Sequence, residues 1–197
     1  MRRRRVWLAV LALTALSACS PPADKARFEA TDITGATFAR SLQLTGHDGG
    51  ARTLSDFRGQ VVVVFFGFTH CPDVCPGALA RLKAALGLLG ENARRVQVLL
   101  VTVDPERDTA SVLREYLGAF HPSFLGLTGT PADIAKVAKE FRVLADRQPA
   151  GADGNYTVDH SAAMYVFDPQ GRVRLYVAPA QSPKAIAADI ALLLGGR

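Results

Sequence analysis

Between Gln60 and Phe68 the chain reads QVVVVFFGF. A strand with one face in water alternates apolar and polar residues; this run does not alternate, so both of its faces must be covered. Its length and its β-branched and aromatic content favour a strand over a buried helix. A second run, VQVLLVTVD from Val96 to Asp104, repeats the pattern. Between them Leu79, Leu82, Leu86 and Leu89 recur at spacings of three and four, which predicts a helix from about Pro76 to Leu89. Two doubly buried strands joined through a helix call for a parallel or mixed sheet with layers on both sides.

The alternation continues to the C-terminus. Thr109 to Phe120 reads as a helix with Asp108 or Thr109 at its cap. Ser41–Thr45 and Ser123–Leu127 fit short strands, and Thr53–Gly59 a loop. Thr130-Pro131-Ala132-Asp133 opens a helix that runs to about Phe141. Residues 146–159, rich in Gly, Asp, Asn and Pro, read as the longest irregular stretch. Two strands then flank a turn at Asp168-Pro169-Gln170-Gly171, and Ser182-Pro183 starts a last helix to about Leu194. The expected architecture is an α/β three-layer sandwich with a central mixed sheet and a C-terminal β-hairpin plus helix, the plan of thioredoxin-like folds.

The N-terminus is of another kind. Arg2 to Arg5 precede an apolar run of 13 residues, Val6 to Ala18. That is the layout of a secretory signal, and it is too short to span a bilayer. The run ends in Leu16-Ser17-Ala18-Cys19, which resembles a lipobox; residues 1–18 are then the signal and Cys19 carries lipid. Acyl chains bury about 0.8 kcal/mol per methylene, enough for several to hold the chain on a membrane. An exported, periplasm-facing, membrane-anchored lipoprotein is expected, with residues 19–37 as a tether and 38–197 as one domain. Without the signal's four arginines, 19 basic residues face 18 acidic ones, so no basic surface argues for nucleic acid.

With Cys19 lipidated, Cys71 and Cys75 are the remaining thiols. They lie in GFTHCPDVCPGAL, where the first buried strand gives way to a helix. Ligand sites of α/β sheets lie at such carboxyl ends of strands. Helix N–H groups there favour thiolate at Cys75 and, with it, at Cys71. One cysteine pair does not make a disulfide scaffold, so the pair points to chemistry. A disulfide, a redox pair and a metal site all fit the Cys-x-x-x-Cys spacing. Thioredoxin-type pairs have one spacer residue fewer, and Thr69 is one position too close to Cys71 for a peroxiredoxin-type peroxidase.

Four histidines are available as further ligands. His47 sits in a turn-like stretch, and His121 follows a helix and precedes Pro122. His70 is adjacent to Cys71 and fits a supporting role better than ligation. His160, in TVDHSAAMYVF, stands where a strand of a thioredoxin-like sheet would start, facing the cysteine loop. Two thiolates and one imidazole suit Cu(I), or Cu(II) with an added ligand, whereas structural zinc takes four ligands. Asp159 either orients His160 or is a solvated loop acid. Asp73 is either a helix-start acid or a docking charge.

The blocks GQVVVVFFGFTHCPDVCP, VTVDPERDT, YLGAFHPSFLGLTGT and NYTVDHSAAMYVFDPQGR together resemble the Sco/SenC family, copper-binding assembly factors of cytochrome c oxidase. The resemblance runs from about Thr37 to the C-terminus. It implies a thioredoxin-like fold and one copper per chain, held by Cys71, Cys75 and His160. It implies a metallochaperone serving the dinuclear copper centre of the oxidase, with the copper-bearing subunit as partner. A second periplasmic copper chaperone or a thioredoxin-like reductase would be a further partner. The other reading is a thiol–disulfide oxidoreductase that keeps the oxidase's copper-site cysteines reduced. Many family members have an N-terminal transmembrane helix, where this chain has a lipobox-like site.

Overall fold

The computed structural model describes residues 27–151 and 155–196. The expected signal, Cys19 and the first part of the expected tether lie outside the described residues. In chain order the strands and helices are β1 (Thr31–Asp32), β2 (Gln43–Gly46), β3 (Ala51–Thr53), β4 (Val61–Gly67), α1 (Val74–Leu89), β5 (Val96–Thr102) and α2 (Ala110–Gly118). They continue with β6 (Leu125–Thr128), α3 (Pro131–Glu140), β7 (Ala145–Arg147), β8 (Val158–His160), β9 (Met164–Phe167), β10 (Val173–Val177) and α4 (Pro183–Leu194).

Eight strands form one mixed sheet in the order β1-β10-β9-β4-β5-β6-β2-β3. At its centre β4, β5 and β6 run parallel, and β9 joins β4 antiparallel in the register Val62 to Phe167 and Phe65 to Met164. All seven residues of β4 are buried. The non-alternating run therefore does what its composition requires, because helices cover the sheet and α1 packs on α4 beside β4. Phe65, Phe66, Phe141 and Phe167 anchor a single core cluster. The fold is the expected thioredoxin-like sandwich, with β9, β10 and α4 as its C-terminal hairpin and helix.

Local chemistry sets the helix starts. Thr130 and Asp133 form a reciprocal capping box at α3, with Pro131 in its first turn. Ser182 Oγ accepts from the Ala185 N–H at α4, and Thr109, not Asp108, caps α2 through the Val112 N–H. The structure begins α1 at Val74, two residues before the expected Pro76. A proline is tolerated in the first turn because amides there have no intrahelical acceptor. Cys75 is thereby inside the helix rather than ahead of it.

Two stretches differ from the sequence reading. Part of the expected tether is docked on the domain: Thr31 and Asp32 pair with Tyr176 and Leu175, and Ala30 is buried. The side chain of Asp189, on α4, accepts from the Glu29 and Ala30 N–H groups at 2.8 Å each. The expected irregular stretch 146–159 has strand at both ends, because β7 and β8 form a separate antiparallel pair. Among the described residues, no helix is long and apolar enough to cross a membrane.

Candidate metal centre

The site grows from the carboxyl end of β4. After Phe68 the chain turns, with the Cys71 N–H donating to the Phe68 carbonyl at 3.3 Å. Asp108, fully buried in the loop after β5, holds this turn to the sheet. Its carboxylate accepts from the Thr69 N–H at 3.1 Å, the Thr69 hydroxyl at 2.6 Å and the Thr102 hydroxyl at 2.6 Å. Three donors on one buried carboxylate meet the requirement that a buried charge be hydrogen-bonded. Sequence reasoning treated Asp108 as a turn or cap residue; the only signal for this role was an acid between a buried strand and a helix.

Cys75 lies in the first turn of α1 with no exposed surface, while Cys71 is half-buried. The Cys75 N–H donates to Cys71 Sγ at 3.4 Å. The free amide at the helix start therefore serves Cys71. Burial raises the pKa of the Cys75 thiol well above the ordinary range and outweighs the thiolate stabilisation that the sequence suggested at the helix end. Gly67 makes room for this packing: a Cβ there would stand 2.9 Å from both Cys75 Sγ and the Phe65 ring.

His160 arrives from β8, half-buried, with its ring edge-on to Phe68 at 5.7 Å between centroids and to Phe65 at 6.4 Å. Its Nδ1–H donates to the Ser161 carbonyl at 3.2 Å, which leaves Nε2 as an acceptor 3.5 Å from Cys75 Sγ. Burial lowers its pKa, against the upward pull of the Ser161 carbonyl and of the Asp159 charge. The neutral imidazole thus presents a lone pair to the thiols, in the tautomer that a ligand needs. The ligand atoms of Cys71, Cys75 and His160 all lie within 4.8 Å of one another. One ion placed among them would reach all three donors, two sulfurs and an imidazole, a set that suits copper.

The supporting residues separate. Asp159 is exposed and acts on His160 through its charge, while the Ser161 carbonyl holds the ring. His70 is exposed, with Nδ1 at 3.1 Å from the Thr69 hydroxyl. Asp73 occupies the N-cap position of α1, but its side chain makes no capping hydrogen bond. His47 accepts from the Gly126 N–H, and His121 Nδ1 accepts from the Ser123 N–H; neither belongs to the cluster.

A family model described as SCO1/SenC matches residues 30–195. The chain belongs to the SCO1/SenC family. A bovine relative, "Protein SCO2 homolog, mitochondrial", is 42% identical over 151 residues, which cover 76% of this chain and 57% of the relative. The chain thus spans little more than half the length of that relative. Among solved structures, copper-bound ScoI of Bradyrhizobium japonicum is 41% identical with a TM-score of 0.72, over 78% of this chain and 98% of that one. The apo Sco1 protein of Thermus thermophilus is 39% identical with a TM-score of 0.78, over 87% of this chain and 100% of that one. Both cover more than three quarters of this chain, in keeping with its SCO1/SenC membership and its thioredoxin-like frame.

Proposed function

We propose that this chain is a copper metallochaperone that delivers copper to the dinuclear copper centre of cytochrome c oxidase during assembly. The observation that carries the reading is the convergence of Cys71, Cys75 and His160 within 4.8 Å, on one buried and two half-buried residues. The Bradyrhizobium structure is described with copper bound, which supports a copper cargo. Two thiolates and a neutral imidazole hold one ion, Cu(I) or Cu(II), at an edge that a partner's thiolates can reach. Cys71 and His160 form the accessible side, so ligands exchange there first and the buried Cys75 releases last. The copper-bearing subunit of the oxidase is the intended receiver, and another periplasmic copper chaperone or a thioredoxin-like reductase loads or reduces the site. Lipid on Cys19 would hold the domain at a membrane, facing the periplasm; the lipobox-like Leu16-Ser17-Ala18-Cys19 supports that part of the reading.

Purified protein should take up about one copper per chain, as two soft thiolates and one imidazole complete a three-ligand site. Alanine at Cys71, Cys75 or His160 should weaken uptake sharply, as read by metal analysis and the copper–thiolate absorption. Wild-type binding in all three variants would overturn the assignment.

The redox reading has an observation of its own in the Cys75 N–H that donates to Cys71 Sγ at a helix start. A thiol–disulfide oxidoreductase keeps its activity in His160→Ala, whereas a copper donor loses it. Reduction of an oxidised copper-site peptide by wild type and by this variant separates the two.

A further inference from the structure

The hairpin that carries His160 stands outside the main sheet. Among the described residues β7 and β8 pair only with each other, over three residues each: Ala145 with His160, Asp146 with Asp159, and Arg147 with Val158. An isolated two-stranded hairpin is marginally stable. The position of His160 therefore depends on what fastens this hairpin to the body.

Val158 is buried in the core cluster, and the polar fastening comes from the loop after β5. Arg107 Nε donates to the buried carboxylate of Asp104, and Tyr156 donates its hydroxyl to the other oxygen of the same carboxylate at 2.8 Å. Arg107 Nη1 donates to the Tyr156 carbonyl at 3.0 Å, two residues before β8. The Arg107 guanidinium carbon lies 3.6 Å from the Tyr156 ring centroid, and that of Arg147 lies 3.7 Å from the same centroid. The Tyr156 ring is thus held by two cations. Arg147 also pairs with Glu106 at 2.7 Å, but both side chains are exposed and such a pair adds little. The desolvated Asp104–Arg107 pair has a different weight, since loss of either partner leaves a buried charge behind.

Arg107 also touches the other half of the site. Its guanidinium carbon is 5.9 Å from the Phe68 ring centroid, and Phe68 meets His160 edge-on just before the cysteine turn. A single guanidinium therefore bridges the segment that leads to Cys71 and Cys75 and the segment that leads to His160.

We propose that Arg107, held by Asp104 and stacked on Tyr156, is a positioning residue that keeps His160 over the cysteines and thereby sets the metal affinity of the site. The proposal rests on Cys71, Cys75 and His160 being the ligands. A lysine at position 107 retains the charge opposite Asp104. It lacks the planar fork that reaches Asp104 and the Tyr156 carbonyl together, and it lacks the flat face that stacks on the ring. Arg107→Lys therefore loosens the hairpin without leaving a buried acid unpaired.

The test compares wild type, Arg107→Lys, His160→Ala and the double variant as full chains, titrated with Cu(I) against a chromogenic chelator. Arg107→Lys should lower Cu(I) affinity about 10- to 100-fold, the usual cost of losing support behind a ligand. The double variant should bind no more weakly than His160→Ala, because Arg107 acts through that histidine. A metal-free readout accompanies this: amides of residues 156–161 should exchange hydrogen faster in Arg107→Lys, with β4 and β5 unchanged. Wild-type affinity in Arg107→Lys, a further loss in the double variant, or unchanged exchange at 156–161 would each overturn the proposal. Equal affinity in wild type and His160→Ala would instead overturn the ligand assignment beneath it. Exchange identifies that case, since the hairpin then loosens with no effect on copper.

Discussion

Cys71 and Cys75 share a motif but not an environment. The motif pointed to both sulfurs, the place of His160 at an expected strand start pointed to the imidazole, and the softness of the three donors pointed to copper. Burial was not legible there, because the depth of Cys75 follows from a helix that starts two residues earlier than its proline suggested. Burial pushes the Cys75 thiol up, so at neutral pH it holds a proton that copper must displace. His160 behaves in the opposite sense: burial lowers its pKa below the ordinary 6.5, so the ring is already neutral at pH 7 and releases nothing on binding. Apparent Cu(I) affinity should therefore climb as pH rises from about 6 to about 9, by about tenfold per pH unit for each proton released. Competition titrations across that range measure the slope. A flat profile would mean that Cys75 does not lose a proton to the metal.

At the scale of elements, the two hairpins show where sequence patterns succeed. The β9–β10 hairpin was legible because apolar strands flank Asp168-Pro169-Gln170-Gly171, and Gly171 takes the positive φ of 76° that the turn requires. The β7–β8 hairpin was not, because its strands are three residues long and mostly exposed, with no alternation to detect. Asp168 locks the legible hairpin. Its buried carboxylate accepts from the Gln170 and Arg172 N–H groups at 3.0 Å each and pairs with Arg172 and Arg174. Burial alone would raise its pKa, but the hydrogen bonds from Arg172 and Arg174 and the charge of Arg172 outweigh it and hold the carboxyl below its ordinary 3.8. A group depressed in the folded state adds stability above its unfolded pKa and loses it as pH falls through the folded value. Asp168→Asn should thus cost about 1–3 kcal/mol at pH 7, the scale of hydrogen bonds to a charged group. The cost should shrink below about pH 3.8, where wild type loses the same contribution. Urea denaturation at pH 7 and at low pH checks both halves; an equal cost at both would mean that the ion pairs do not carry the effect.

For the whole molecule, the long unalternating strands fixed the class of fold, since only layers on both faces could satisfy them. The attachment of the N-terminal segment escaped the pattern, because a two-residue strand has no period and its anchor lies at Asp189, far away in sequence. That attachment decides how the domain hangs from whatever holds the chain. The chain docks on α4 through Asp189 at Glu29 and Ala30, so the expected tether is held on the domain there, short of residue 37. Burial raises the Asp189 pKa, and the Glu29 and Ala30 N–H groups draw it back only in part. Removal of those two donors would leave a buried carboxylate without them, and the partly buried Phe28 and Ile33 would lose their place against the core. A shortened chain beginning at Arg27 keeps the docked segment and serves as the reference. One beginning at Ala39 should lose at least about 1–3 kcal/mol, the cost of a buried acceptor stripped of partners. At this chain length that is a fall in Tm of roughly 2–4 °C per kcal/mol. Cu(I) uptake per folded chain should be equal in the two, since the segment docks on α4 and β10 while the ligands sit on α1, its preceding turn and β8. Equal melting temperatures would mean that the segment only rests on the surface, and the tether would then reach to residue 37 after all.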